Sequence, residues 1–238
     1  MTILAIETST RQLGVAAVDA GRVLASYELL ADYPHAVELP NAVTRVLQSA
    51  RTPLNRVEAI VVDIGPGSFT GLRIGLAFVK ALVFPKSLPV VGVASLDVLA
   101  AHVPYASSPI YAVLDARQGN VYLARYRWDR QRILKDSDYL LGPLEQTLAA
   151  SAEPAIFVGD GCAAFREQIL ARVPQAVFAP SDFWLPRAAT LARLGQERFR
   201  AGQRDDPQTL VPLYLYPMDC SVRSPDRPTA VIPKTVAV

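Results

Sequence analysis

Four acidic side chains stand at or beside the ends of apolar, β-branched runs: Glu7 after TILAI, Asp63 in VEAIVVDI, Asp97 after PVVGV, and Asp115 closing IYAVLD. Carboxylates at neighbouring strand ends could hold magnesium and orient water. Thr8 and Ser9 add two hydroxyls to the first acid, but Thr10-Arg11-Gln12 follows and no glycine comes before Gly14. A phosphate cradle needs backbone that approaches closely, so Glu7, Thr8 and Ser9 read as a possible nucleotide site in degraded form. His35 and His102 are far apart, and the position four after His35 is Leu39. Two imidazoles one helical turn apart can share a metal, whereas a lone one cannot. No Gly-x-Ser-x-Gly elbow occurs, because Gly65-Pro66-Gly67-Ser68 continues as Phe69-Thr70. Nucleophilic catalysis therefore lacks both elbow and triad partners.

The richest segment is Asp63-Ile64-Gly65-Pro66-Gly67-Ser68-Phe69-Thr70-Gly71-Leu72-Arg73-Ile74-Gly75. Gly65 and Gly67 permit a sharp turn after a strand, and Ser68 can cap the helix that follows. Such a turn could hold an anion, or could simply join strand to helix. Beyond it, Phe69, Leu72, Ile74, Leu76, Phe78, Val79, Leu82 and Val83 spread apolar side chains around nearly the whole helix. A helix apolar all round must be covered all round. It is either buried within its own domain or packed on another protein's helix, with Gly71 and Gly75 offering bare backbone for a close approach. Gly159-Asp160-Gly161 is a weaker loop of the same kind and reads as a plain turn.

Several elements must position these residues. Residues 2–6, 14–19 and 23–27 read as three strands, and 38–51 as a helix with Leu39, Val43, Val46, Leu47 and Ala50 on one face. Strand 57–64, helix 68–84 closed by Pro85, strand 89–93 and helix 94–102 follow. After turn-rich PYASSP the pattern restarts with strands 110–115 and 121–128, strand 156–158, an amphipathic stretch to Val173 and helix 187–201. A meander followed by βα units, then repeated incompletely, is the order of an actin-like (ASKHA, ribonuclease H-like) α/β fold. Its two tandem halves would span 1–104 and 105–220, the second degenerate, with a tail at 221–238.

Composition narrows the partners. A chain of 238 residues, 51% hydrophobic and 19% charged, can bury a large core without staples. Its net charge of +2 supplies no global field for nucleic acid or membrane surfaces. Cys162 and Cys220 lack metal-ligand spacing, which argues against structural zinc and a disulfide scaffold and suits a reducing cytoplasm. The start has no basic signal-like region, and Leu72 to Phe84, interrupted by Arg73 and Lys80, falls short of the roughly 20 residues a bilayer requires.

The run Gly65-Pro66-Gly67-Ser68-Phe69-Thr70-Gly71-Leu72-Arg73 resembles the GPGSFTGLR signature of the TsaB/YeaZ family. Ile6-Glu7-Thr8-Ser9, His35 with Pro40, Asp115-Ala116-Arg117 with Val121-Tyr122, and Pro212 to Leu215 resemble it in register, so the likeness covers about residues 1–216. The resemblance implies a non-catalytic subunit of the machinery that places a threonylcarbamoyl group on the tRNA adenosine next to the anticodon. The expected partners are the related catalytic subunit TsaD, in a heterodimer, and the ATPase TsaE, in a ternary complex; TsaC makes the intermediate that TsaD consumes. A homodimer is expected in isolation, and contact with tRNA is expected to be indirect or weak. On this reading ATP or ADP and a metal ion reside on partners, none on this chain alone. The interface with TsaD is expected on the first two helices, at Leu39, Val43, Val46, Leu47, Phe69, Leu72, Leu76, Val79 and Val83. The alternative is a stand-alone ASKHA-type nucleotide-dependent enzyme or a glycoprotease-like peptidase.

Overall fold

The computed structural model describes residues 1–30 and 35–216; the tail expected at 221–238 lies outside them. Two compact units emerge, residues 1–98 with 186–213, and 99–185 with 214–216. The division expected at 104/105 is thereby corrected, because 186–213 returns to the first unit instead of staying in the second.

In the first unit, strands β1 (Thr2–Glu7), β2 (Gln12–Asp19), β3 (Arg22–Leu30), β4 (Ala59–Gly65) and β5 (Val90–Ala94) form one sheet in the order β3-β2-β1-β4-β5. The meander β1–β3 is antiparallel, whereas β4 and β5 join parallel to β1. Helices α1 (His35–Ser49) and α2 (Phe69–Val83) connect β3 to β4 and β4 to β5, and α3 (Ser95–Ala100) follows β5. The sheet is covered on both faces, which is why its central strands are nearly continuous apolar runs. Leu4, Ile6, Val15, Ile60 and Val62 pack with Leu39, Val43 and Val46 of α1 and Leu76, Val79 and Val83 of α2. On the opposite face Ile3, Ala5, Val61 and Val91 meet Leu191 and Ala192. Those two belong to the last helix, Ala188–Arg200, so the amphipathic pattern at 187–201 serves the first sheet.

The second unit repeats the arrangement. Strands β6 (Ile110–Arg117), β7 (Asn120–Trp128), β8 (Ile133–Lys135), β9 (Leu140–Pro143), β10 (Ala155–Val158) and β11 (Ala176–Phe178) give the order β11-β10-β6-β7-β8, with β9 also on β7. The β6–β7 pair is antiparallel and β10 runs parallel to β6, matching β1–β2 and β4. Degeneracy resides in the helices. Helix α4 (Leu144–Thr147) has 4 residues where α1 has 15, and α5 (Gly161–Ala164) and α6 (Arg166–Arg172) break up the counterpart of α2. The last helix, Ala188–Arg200, is α7. The chain thus has the actin-like two-half α/β fold expected from its pattern, and its echo is complete in the sheets.

Candidate functional site

The site is built where β1 and β4 end and α2 begins. Gly65 adopts φ +97° and precedes a cis Pro66. Ser68 caps α2 as its sequence position predicts, its Oγ accepting from the Gly71 N–H at 3.2 Å. Ser68 also donates its own N–H to the Ser9 carbonyl at 2.6 Å, tying the helix start to the loop after β1. Replacing Ser68 with Ala is expected to cost about 1 kcal/mol of stability in urea unfolding, the usual value of such a cap.

The glycines of α2 have a different role from the one their spacing suggests. A Cβ on Gly71 would collide with the Thr8 carbonyl oxygen, and one on Gly75 with the Thr8 hydroxyl. The bare face therefore lies on this chain's own β1 loop and receives no second helix. Glu7, Thr8 and Ser9 are correspondingly sealed, at 0%, 0% and 1% exposure. Residues that could have faced a nucleotide as a loop after the first strand lie inside the protein, beneath α2.

Glu7 and Asp63, the ends of adjacent strands, form a buried pair of carboxyl groups. Glu7 Oε1 accepts from the Ser9 N–H and Oγ–H, both at 2.6 Å. Asp63 Oδ1 accepts from the Gly65 N–H and the Ser95 Oγ–H, also both at 2.6 Å. Glu7 Oε2 and Asp63 Oδ2 are sealed from solvent and meet no other donor among the described residues. Burial, and then the neighbouring Asp63, push the Glu7 pKa well above the ordinary carboxylate range; burial raises Asp63 as well. Two oxygens so placed are both satisfied only when they share one proton, Glu7 donating to Asp63.

The remaining acids are engaged structurally. Asp97 pairs with Arg198 Nη2 of α7 at 2.6 Å. Asp115 Oδ1 accepts from the Arg117 N–H at 2.8 Å, and its own N–H donates to Asp160 of the Gly159-Asp160-Gly161 turn at 3.0 Å. That turn braces β6, as expected of a plain connection. His35 Nε2 lies 2.9 Å from the Thr10 carbonyl, and His102 Nδ1 3.0 Å from that of Phe183. Cys162 is fully buried and its thiol is pushed up to about 12 by desolvation, so it offers no thiolate. Among the described residues no three His, Cys, Asp or Glu side chains gather as metal ligands.

The helices α1 and α2 expose a different surface from the one expected. Leu39, Val43, Val46, Leu72, Leu76, Val79 and Val83 are at most 5% exposed and belong to this chain's core; Leu47 is half-buried against it. Of the nine apolar positions expected at an interface, Phe69 alone is largely exposed, at 54%. The outward side of α2 carries Phe69, Arg73, Ala77, Ala81 and Phe84, spaced three and four apart, all exposed. Phe84 is 83% exposed and the Arg73 guanidinium lies 3.8 Å over the Phe69 ring. On α1, Val37 is 66% exposed. The sequence does not mark Ala77, Ala81 and Phe84 as outward-facing because α2 is apolar on both sides and hydropathy alone does not say which side faces a sheet; Val37 precedes the helix read from 38.

Comparison with known proteins decides the family. A family model described as TsaD, tRNA N6-adenosine threonylcarbamoyltransferase, matches residues 29–219. The curated tRNA threonylcarbamoyladenosine biosynthesis protein TsaB of Bacillus subtilis is 32% identical over 224 residues, covering 90% of this chain and 94% of its own length. The chain belongs to the TsaB family. The Escherichia coli TsaB is 29% identical with the same coverage. The solved YeaZ of Pseudomonas aeruginosa superposes with a TM-score of 0.78 at 29% identity, over 90% of this chain and 99% of that one. In this TsaB-family chain the GPGSFTGLR run is a packing device: its glycines seat α2 on Thr8 and Ser9, its serine caps the helix, and its Phe69 and Arg73 face outward. Among the described residues no helix is long and apolar enough to cross a membrane.

Proposed function

We propose that this chain is a non-catalytic scaffold in tRNA threonylcarbamoyladenosine formation, binding and activating a TsaD-type subunit through the outer faces of α1 and α2. The observation that carries this reading is the solvent-facing stripe Phe69, Arg73, Ala77, Ala81 and Phe84, an apolar surface with small residues at its centre and an aromatic at each end. Small central residues let a second helix come close, and terminal aromatics supply anchor area. The sealed Glu7-Thr8-Ser9 loop supports a non-catalytic role, because a nucleotide would need α2 displaced to reach it. ATP or ADP and the metal ion would then reside on the partners, with a TsaE-type ATPase joining the pair in the cytoplasm. In isolation the same stripe would support a homodimer, since a surface shared by related subunits is close to self-complementary.

The test is co-purification with the TsaD candidate of the same organism and sizing of each protein alone and mixed. A one-to-one heterodimer that replaces the homodimer is the expected result. Ala77→Glu and Phe84→Glu should each weaken pairing at least tenfold while circular dichroism stays unchanged, the usual behaviour of anchor positions. Independent elution of the two wild-type proteins across concentration and salt, or full affinity in the two folded variants, would overturn the reading. Calorimetric titration with ATP and magnesium should give no tight one-to-one binding to the isolated chain.

A further inference from the structure

The overall charge of +2 conceals an uneven distribution. Between 125 and 135, along β7, its turn and β8, stand Arg125, Arg127, Arg130, Arg132 and Lys135 against a single acid, Asp129. Arg125 is paired with Asp136 at 3.0 Å, and the Lys135 ammonium lies 3.5 Å over the Tyr139 ring. Arg127, Arg130 and Arg132 are exposed, and among the described residues none of them forms a salt bridge. Asp129 spends its Oδ1 on the turn itself, accepting from the Gln131 and Arg132 N–H groups at 3.1 and 2.9 Å. It shapes the turn that carries Arg130 and Arg132, and Arg127 stands on the adjoining strand.

An aromatic pair adjoins this basic hairpin within the same unit. Tyr105 is 79% exposed and stands edge to face with Trp128 of β7, ring centroids 5.1 Å apart. Its backbone is in the left-handed region, φ +62°, where a tyrosine is a rare occupant. Left-handed backbone on a bulky, exposed side chain costs free energy that burial does not return, which is the pattern of a residue kept for contact with something else.

We propose that the β7–β8 hairpin with Tyr105 is an RNA-contacting surface, Arg127, Arg130 and Arg132 meeting phosphates and the Tyr105 ring stacking on an unpaired base. Guanidinium groups suit phosphate oxygens, and an exposed aromatic beside a basic track is the chemistry of single-stranded RNA recognition. The assignment to RNA, in place of an acidic protein, rests on the function proposed above, in which the complex acts on tRNA. Three cations give a contact that is weak alone and useful when a partner holds the RNA nearby.

The test uses the full chain and an unmodified tRNA transcript, with affinity followed from about 50 to about 200 mM KCl. Arg127→Gln, Arg130→Gln and Arg132→Gln are combined in one variant, glutamine preserving side-chain length. Arg11→Gln, Arg22→Gln and Arg56→Gln, all exposed in the first unit, form the control. Loss of the three hairpin charges should lower affinity at least tenfold at the low-salt end and reduce the slope of log K against log salt by about 2, near 0.7 per phosphate contact. Tyr105→Ala should weaken binding of an unpaired oligonucleotide by roughly fivefold or more and leave duplex RNA unaffected. An unchanged slope in the hairpin variant, or an equal loss in the control, overturns the proposal. Sensitivity to the arginines with none to Tyr105 would make the hairpin a general polyanion patch and overturn the assignment to unpaired RNA. Sizing of the same variants with the TsaD candidate separates the readings: pairing should persist when RNA affinity falls, and a wild-type chain that binds RNA through this hairpin without pairing would sink the scaffold alone.

Discussion

Glutamate in place of Leu76 is expected to unfold this chain outright. Leu76 is 5% exposed and packs among β1, β4 and α1 side chains in the first unit's core. Truncating such a leucine costs about 2–5 kcal/mol, and a carboxylate left among Leu4, Ile6 and Val62 without a partner adds several more. The sum approaches the roughly 5–15 kcal/mol that holds a domain together. Ala77, one position on, is rotated about 100° around the helix and is exposed; glutamate there should change stability by no more than about 0.5 kcal/mol. Urea unfolding followed by circular dichroism distinguishes the pair. A cooperative, near-wild-type transition in Leu76→Glu would mean that α2 turns its other side to the sheet, and the stripe through Phe69 and Phe84 would lose its claim as a docking surface.

That contrast also marks where the sequence stops being legible. Strand and helix existence could be read from hydropathy, since TILAI, IVVDI and IYAVLD carry the continuous apolar character of strands covered on both faces. The Ser68 cap was readable from its place between a glycine turn and an apolar run. Which side of α2 faces inward was not, because Phe69, Ile74, Phe78 and Phe84 balance Leu72, Leu76, Val79 and Val83 in hydropathy. The closing of the first unit by α7 was also hidden: its residues follow the second sheet in sequence, and only tertiary contacts return Leu191 and Ala192 to β1 and β4. Strands β8, β9 and β11 were missed because each has three or four residues, too few for a period to register. The spacing of Gly71 and Gly75 marks a close approach, but a sequence cannot say that what approaches is the carbonyl and hydroxyl of Thr8 in the same chain and not a second helix.

The buried acid pair gives the other large effect, and its sign follows from linkage. Glu7 binds its proton more tightly folded than unfolded, because burial and Asp63 raise its pKa from 4.5. The folded state therefore holds the extra proton as pH rises above the unfolded value, and stability falls across that interval until the folded pKa is passed. Replacing Glu7 with Gln removes the titration. The amide oxygen can still accept from Ser9, and the amide N–H takes over the donor role toward Asp63 Oδ2. The Glu7→Gln protein should be at least as stable as wild type at pH 8, with a flatter decline in urea midpoint between about pH 5 and 8. Glu7→Ala, by contrast, strands the Ser9 donors and Asp63 together and should lose about 3 kcal/mol or more. Asp63 also accepts from the Gly65 N–H and the Ser9 carbonyl from the Ser68 N–H, so loss of the proton between Glu7 and Asp63 should first loosen the loop at Gly65 to Ser68, where amide protection relative to the base-catalysed intrinsic rate should fall at high pH in the wild-type protein and persist in Glu7→Gln. Equal pH slopes in wild type and Glu7→Gln would mean that the two carboxyl groups do not share a proton, and the coupling between strand ends and helix would have to rest on the Ser9 and Ser95 hydroxyls alone.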